Sequence, residues 1–277
     1  MPVPSGAREG AVALSERYAG VVLDIDGVLV RGAEPIPGSA GAVERLIAAG
    51  VGIAFATNNA ARTPEQVAAV LRAAEVPATA EFVVTSAMAA AGMLTPGTRC
   101  LIIGMEGLRQ ALDRRGCVET RAPGDAEAVV VGLDTDLRWD DLRRATLALA
   151  TGARFLGTNG DVTFPGPDGL WPGNGAVLAA LTAATGRSPE LAGKPHAPLL
   201  LAAADRLPPP EGGQRLLMVG DRHETDIVGA AALGWDTALV LSGVATAEDE
   251  RVWTPPPTYV APTLAALLRR LTQDSRV

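Results

Sequence analysis

The sequence predicts an α/β chain: a doubly wound parallel sheet with a second, smaller α/β domain inserted into it. Three observations carry this. Continuous apolar runs, the look of strands buried on both faces, alternate with helical stretches near both ends of the chain. The middle, roughly 96–188, holds enough strands and helices for a small domain, and its edges "LTPGT" and "ATGRSPE" are turn-rich. At 277 residues the chain can bury one large core or two moderate ones.

"GVVLDID" (20–26) is the first buried strand, and "PGSAGAVERLIAAG" after it reads as a helix closed by Gly50. "VGIAFAT" (51–57) is the second strand. Thr63, Pro64 and Gln66 then supply an N-cap, a first-turn proline and a capping-box partner for the helix "PEQVAAVLRAAE". "FVVTS" (82–86) follows as a third strand. In the middle segment "RCLIIG", "EAVVVGLD" and "ARFLGTN" read as strands, and "GTNGDVTFPGPDGLWPG" (157–173) as a long Gly/Pro-rich loop. Alternation resumes with "RLLMVGD" (215–221), a helix "DIVGAAALG" and a strand "DTALVLSG" (236–243).

Composition narrows the function classes. A formal charge of −7 lacks the basic stripe that a nucleic-acid partner requires. No run approaches the ~18 to 20 uninterrupted apolar residues of a membrane span. The N-terminal stretch lacks a basic segment followed by an apolar run, so no signal peptide is expected and a cytoplasmic protein is. Cys100 and Cys117 make no disulfide framework and are expected to be two buried apolar thiols.

Four short stretches carry chemistry. In "DIDGVL", Asp24 and Asp26 stand two residues apart where a strand ends, so both carboxylates can face one crevice beyond the sheet edge, and Gly27 lets the chain turn away. Carboxylates this close repel unless a cation or a proton intervenes, and the hard ion that pairs with phosphate is Mg²⁺. Taken alone, the stretch also fits an Asp-capped turn or the metal-binding D-x-D of a sugar-nucleotide transferase. "MVGDRHETDI" brings Asp221 to the same sheet edge; Asp226 five residues on fits either the same cluster or the N-cap of the next helix. "TNN" (57–59) closes another strand with a hydroxyl and backbone N–H groups suited to phosphate. Lys194, between Gly193 and Pro195, is the only lysine of the chain; every other side-chain cation is arginine. A compact ammonium can touch a carboxylate and a phosphate oxygen at once, whereas a guanidinium is built for forks. His196 and His223 flank these motifs and read as local hydrogen-bonding residues.

In this order, "DIDGVL", "TNN", "GKP" and "GDRHETDI", the motifs resemble the haloacid dehalogenase (HAD) superfamily, and "PIPG", "TNNAART" and "TNGDVTFP" narrow the resemblance to its class IIA, NagD-like or 4-nitrophenylphosphatase branch. It covers about residues 20–243. The resemblance implies a Rossmann-like core over 1–95 and 189–277 with a cap over 96–188. It implies Asp24 as nucleophile and Asp26 as general acid and base. Thr57, the Asn58 backbone and Lys194 would bind the phosphoryl group. Mg²⁺ would be held by Asp24, the Asp26 carbonyl and Asp221, with Asp226 behind or through water. Asn159, Asp161 and Trp171 of the cap loop would meet a small phosphate ester. A homodimer through the cap is implied by resemblance alone.

The expected reaction is therefore hydrolysis of a phosphate monoester through an aspartyl-phosphate. The branch includes phosphatases for glycerol 3-phosphate, phosphoglycolate, pyridoxal phosphate, sugar phosphates and nucleoside monophosphates, and the alanine- and arginine-rich style resembles actinobacterial members, which favours glycerol 3-phosphate. A phosphotransferase, or a non-catalytic binder of phosphometabolites on the same scaffold, are the other readings.

Overall fold

The computed structural model describes residues 14–166, 168–246 and 253–273. The first 13 positions, on which the signal-peptide expectation rests, lie outside the described residues. The chain forms two compact units, one of Met1–Thr57, Glu65–Val84 and Leu200–Val277, the other of Asn58–Pro64 and Thr85–Leu199.

Along the chain come β1 (Tyr18–Leu23), a short hairpin of β2 (Val30–Arg31) and β3 (Glu34–Pro35), and the helix Ser39–Ala48. β4 (Gly52–Thr57), the helix Pro64–Ala73 and β5 (Val83–Thr85) follow. Next are the helix Ser86–Gly92, β6 (Arg99–Ile103), the helix Glu106–Arg114, β7 (Val118–Glu119) and β8 (Ala128–Val131). The helix Trp139–Ala150 leads to β9 (Arg154–Gly157), β10 (Thr163–Gly166) and β11 (Gly169–Pro172), then to the helix Asn174–Thr185 and β12 (Glu190–Leu191). After the helix Ala197–Ala204 come β13 (Arg215–Gly220), a π-helical turn His223–Ile227 that continues as the helix Val228–Ala232, and β14 (Asp236–Val240). β15 (Tyr259–Ala261) and the helix Leu264–Gln273 complete the described chain, beyond the last strand read from the sequence.

The first unit is built on a six-stranded sheet in the order β15-β14-β13-β1-β4-β5. β1 runs parallel to β13 on one side and to β4 on the other, and all six of its residues are buried. Its apolar run is thus explained by cover on both faces. Val21, Leu23, Phe55, Leu217 and Val219 pack with Leu46, Leu71 and the helix stripe Leu264, Leu267, Leu268 and Leu271, whose spacing is that of one helical face. Strand order reverses between β13 and β1, which makes the carboxyl ends of these two strands the switch point of the sheet.

A polar network closes the opposite margin of this sheet. The first residues of β1, β13, β14 and β15 meet there: the Tyr18 hydroxyl donates to Asp236 Oδ2 at 2.8 Å and lies 3.0 Å from the Tyr259 hydroxyl, and Arg215 pairs with Asp236 Oδ1 at 2.6 Å. Burial, reinforced by both hydrogen bonds, holds the Tyr18 phenol neutral well above its ordinary range.

The second unit has its own parallel sheet, β12-β9-β8-β6-β7. Leu101, Ile103, Val129, Val131 and Phe155 pack against Ala145 and Leu149 of one helix and Leu178 and Leu181 of another. The three strands expected in this segment are β6, β8 and β9. The stretch 157–173, expected as a loop, instead contains the antiparallel β10–β11 hairpin. Phe164 stands opposite Trp171 across it, with ring centroids 6.0 Å apart and planes at 72°, an edge-to-face pair that offsets the weak strand propensity of the glycines and prolines. Cys100 is buried, and burial pushes its thiol up to about 12; Cys117 differs from expectation in being only partly buried.

Candidate active site

At the carboxyl end of β1 the parallel ladder continues one residue further: the Asp24 N–H donates to Val219 O of β13 at 2.9 Å. This ties Asp24 to the switch point. The chain then turns tightly, with Leu29 N–H donating to Ile25 O at 3.0 Å and Gly27 N–H to Val30 O at 2.8 Å, and Asp26 stands exposed on that turn.

Asp221 follows β13 directly and is 3% exposed. Its Oδ2 accepts from the Val244 N–H at 2.8 Å, and its own carbonyl accepts from the Ala245 N–H at 3.0 Å. Gly27 has φ +81°, and a Cβ there would lie 2.2 Å from Asp221 Oδ2; one at Gly243 would lie 1.9 Å from the same oxygen. The carboxylate is therefore seated between two backbones that must lack side chains. The Ser242 hydroxyl donates to Gly27 O at 2.7 Å and holds the two glycine segments together.

Asp226 lies in the π-helical turn and is 0% exposed. Its Oδ2 accepts from the Arg222 N–H at 3.0 Å, so its carboxylate caps the turn that carries it. One carboxylate oxygen each from Asp24, Asp221 and Asp226 fall within 4.8 Å of one another. Three acidic groups so close need a compensating cation, and an all-oxygen donor set suits a hard divalent ion. The residues present fit such an ion.

Thr57 ends β4, the neighbour of β1, and is buried. In the second unit Lys194 is 3% exposed, and its main-chain N–H and carbonyl are both bonded to the Asn58 side chain. Asn58 Nδ2 also reaches Asp161 Oδ2 at 3.4 Å; Asn159 donates from Nδ2 to Asn58 O at 2.8 Å and accepts the Asp161 N–H at 3.1 Å. The structure thus brings Asn58, Asn159, Asp161 and Lys194 into one connected group. Trp171 stands on the exposed hairpin instead, its indole N–H bonded to Asp168. The His223 ring bonds Pro255 O at 2.8 Å and stacks on Trp253, and the His196 main-chain N–H donates to Gly193 O at 3.0 Å.

Two contributors were missed by sequence reasoning. The "LSGV" segment after β14 seats Asp221, and its signal is a Ser-Gly pair at a strand end. The Asn58 side chain holds Lys194, for which a local pattern gives no sign because the partners lie 136 positions apart.

Comparison with known proteins gives the family. A family model described as haloacid dehalogenase-like hydrolase matches residues 21–118, and a second, HAD-hydrolase-like, matches residues 191–267. An acid sugar phosphatase of Staphylococcus aureus is 36% identical over 247 residues, 88% of this chain and 94% of that protein. The glycerol phosphate phosphatase of Mycobacterium tuberculosis, solved with calcium, superposes with a TM-score of 0.83 at 39% identity, over 92% of this chain and 76% of that one. NagD from E. coli gives 0.83 at 30% identity, over 90% and 98%. The chain belongs to the haloacid dehalogenase-like hydrolases, in the NagD-like, class IIA branch of phosphatases.

Proposed function

We infer that the protein is a Mg²⁺-dependent, cytoplasmic phosphatase that hydrolyses small phosphate monoesters, glycerol 3-phosphate or a similar polyol or sugar phosphate first among them. The observation that carries this is the convergence of the Asp24, Asp221 and Asp226 carboxylates at the switch point, with Asp26 on the turn two residues beyond Asp24. The substrate class is supported by the names of two relatives, an acid sugar phosphatase and a glycerol phosphate phosphatase that has also been solved with magnesium.

In this mechanism Asp24 attacks phosphorus in line and forms an aspartyl-phosphate while the P–O bond to the leaving alcohol breaks. Asp26 gives that alcohol its proton, then takes one from the water that cleaves the acyl phosphate. Lys194 and the Thr57 hydroxyl offset charge on the phosphoryl oxygens. Asp24, Asp221 and the Asp26 carbonyl would hold a divalent ion, with Asp226 behind it or through water, and that ion would supply the positive charge that lets an anionic nucleophile meet an anionic ester. Residues 96–188 act as the cap, with Asp161 and Trp171 meeting the substrate, and the cap is also where a homodimer would form. Phosphate release from a panel of small esters with Mg²⁺ tests the reading: the parent turns over at least one, and Asp24→Asn lowers that rate by at least about 10³-fold. An unchanged rate in folded Asp24→Asn would falsify it, and transfer to an added alcohol in place of water would favour the phosphotransferase.

A further inference from the structure

We propose that the Asn58 side chain is the positioning residue of Lys194, backed by a chain of buried asparagines; this deepens the phosphatase reading and rests on it. Asn58 Oδ1 accepts the Lys194 N–H at 2.8 Å, and Asn58 Nδ2 donates to the Lys194 carbonyl at 3.1 Å. A carboxamide offers an acceptor and donors in one plane, so this two-point hold fixes both the place and the tilt of the lysine's main chain. Aspartate would keep the acceptor and lose the donor. The residue before the lysine must leave room: a Cβ at Gly193 would sit 2.6 Å from Asn58 Oδ1 and 2.6 Å from Thr158 O.

Asn58 is itself held from behind. Its carbonyl accepts from the Ser86 hydroxyl at 2.6 Å and from Asn159 Nδ2 at 2.8 Å. The Asn159 carbonyl accepts from Asn174 Nδ2 at 2.8 Å, and the same nitrogen reaches Val131 O, the last residue of β8, at 3.2 Å. Asn174 is 2% exposed, so its amide serves the interior and not solvent. The series Asn174, Asn159, Asn58 runs from the end of a buried strand to the one lysine of the chain. Each step is a side-chain amide spent on a backbone carbonyl, the kind of bond that sets position where an unmade partner is costly. Asn159, expected at the substrate, thereby belongs to the support of Lys194: both ends of its amide are engaged with backbone.

A double-mutant cycle on the full chain, with 4-nitrophenyl phosphate and glycerol 3-phosphate in the presence of Mg²⁺, tests this. Asn58→Ala is expected to lower kcat about 10²-fold with KM within about threefold, the cost of a catalytic group displaced by about 1 Å. In the Lys194→Ala background the same change is expected to cost less than about threefold, because its target is gone. A purely structural or directly phosphate-binding Asn58 would give equal losses in both backgrounds, and that result, or full kcat in Asn58→Ala, overturns the proposal while leaving the phosphatase reading intact. Parent-level turnover in folded Lys194→Ala would overturn the proposal together with the role given to Lys194, whereas no turnover of any ester by the parent would overturn the phosphatase reading. Should Asn58→Ala fail to fold, Asn58→Asp, equal in size, is put through the same cycle with the same expected non-additivity.

Discussion

Asp221 is held by what its neighbours lack as much as by what they offer. Gly27 and Gly243 leave the space its carboxylate fills, while the Val244 N–H and the Ser242 hydroxyl fix the walls. Gly27→Ala is expected to destabilise the fold by at least about 1–3 kcal/mol, because φ +81° is strained for any side chain and the new Cβ would displace the carboxylate. Denaturant unfolding would read the first effect and Mg²⁺ titration the second; a Gly27→Ala protein equal to the parent in both removes this account of the seat. Lys194→Ala, by contrast, is expected to fold and to lose at least about 10²-fold in kcat, since an ammonium opposite a developing charge stabilises mainly the transition state. At this scale the sequence was informative where one short stretch carries the pattern, as in "DIDGVL", whose Asp24 meets Asp221 and Asp226 in the fold. It was silent on Asn58 holding Lys194, because a contact spanning 136 positions leaves no local pattern.

Among the elements, those with one dominant signal were legible. β1, β4 and β13 read as strands because both faces are buried, and burial on both faces leaves a continuous apolar run. The β10–β11 hairpin was not legible: "TFPGPDGLWP" is full of turn formers, and what makes it pair is the Phe164–Trp171 contact across the strands. Asp226 shows the same limit. An Asp ahead of an apolar stretch reads as a helix cap, and it does accept the Arg222 N–H, but a π-helical turn also carries its carboxylate to Asp24 and Asp221. Trp171→Ala is expected to remove about 0.5–1.5 kcal/mol of aromatic contact from the hairpin and to raise KM for small esters while sparing the first-unit core. Steady-state kinetics set beside thermal unfolding separate the two effects, and an unchanged KM would take Trp171 out of substrate contact.

For the molecule as a whole, alternating strands and helices announced the α/β class. The last strand and helix fell beyond the residues that carried any motif. Two solution properties follow from the fold. A divalent ion bound at Asp24, Asp221 and Asp226 is expected to stabilise the native chain by mass action, about 2.7 kcal/mol at a hundredfold excess over Kd. Calorimetry with and without Mg²⁺, in parent and Asp221→Asn, checks this. At the alkaline end, Tyr18 stays protonated in the folded chain while the unfolded chain ionises near pH 10. Its contribution is therefore complete below that value and declines above it, by up to about 1.4 kcal/mol per pH unit. Tyr18→Phe should flatten the stability curve above pH 10, and an unaltered slope would show that the phenol titrates freely.

The quartet of Tyr18, Arg215, Asp236 and Tyr259 gathers the opening residues of four neighbouring strands, at the far margin of the sheet from the acidic cluster. A stabilising change at this margin is therefore expected to leave the carboxylates at the other end of the strands in place, so that thermal midpoint and turnover can be tuned apart there.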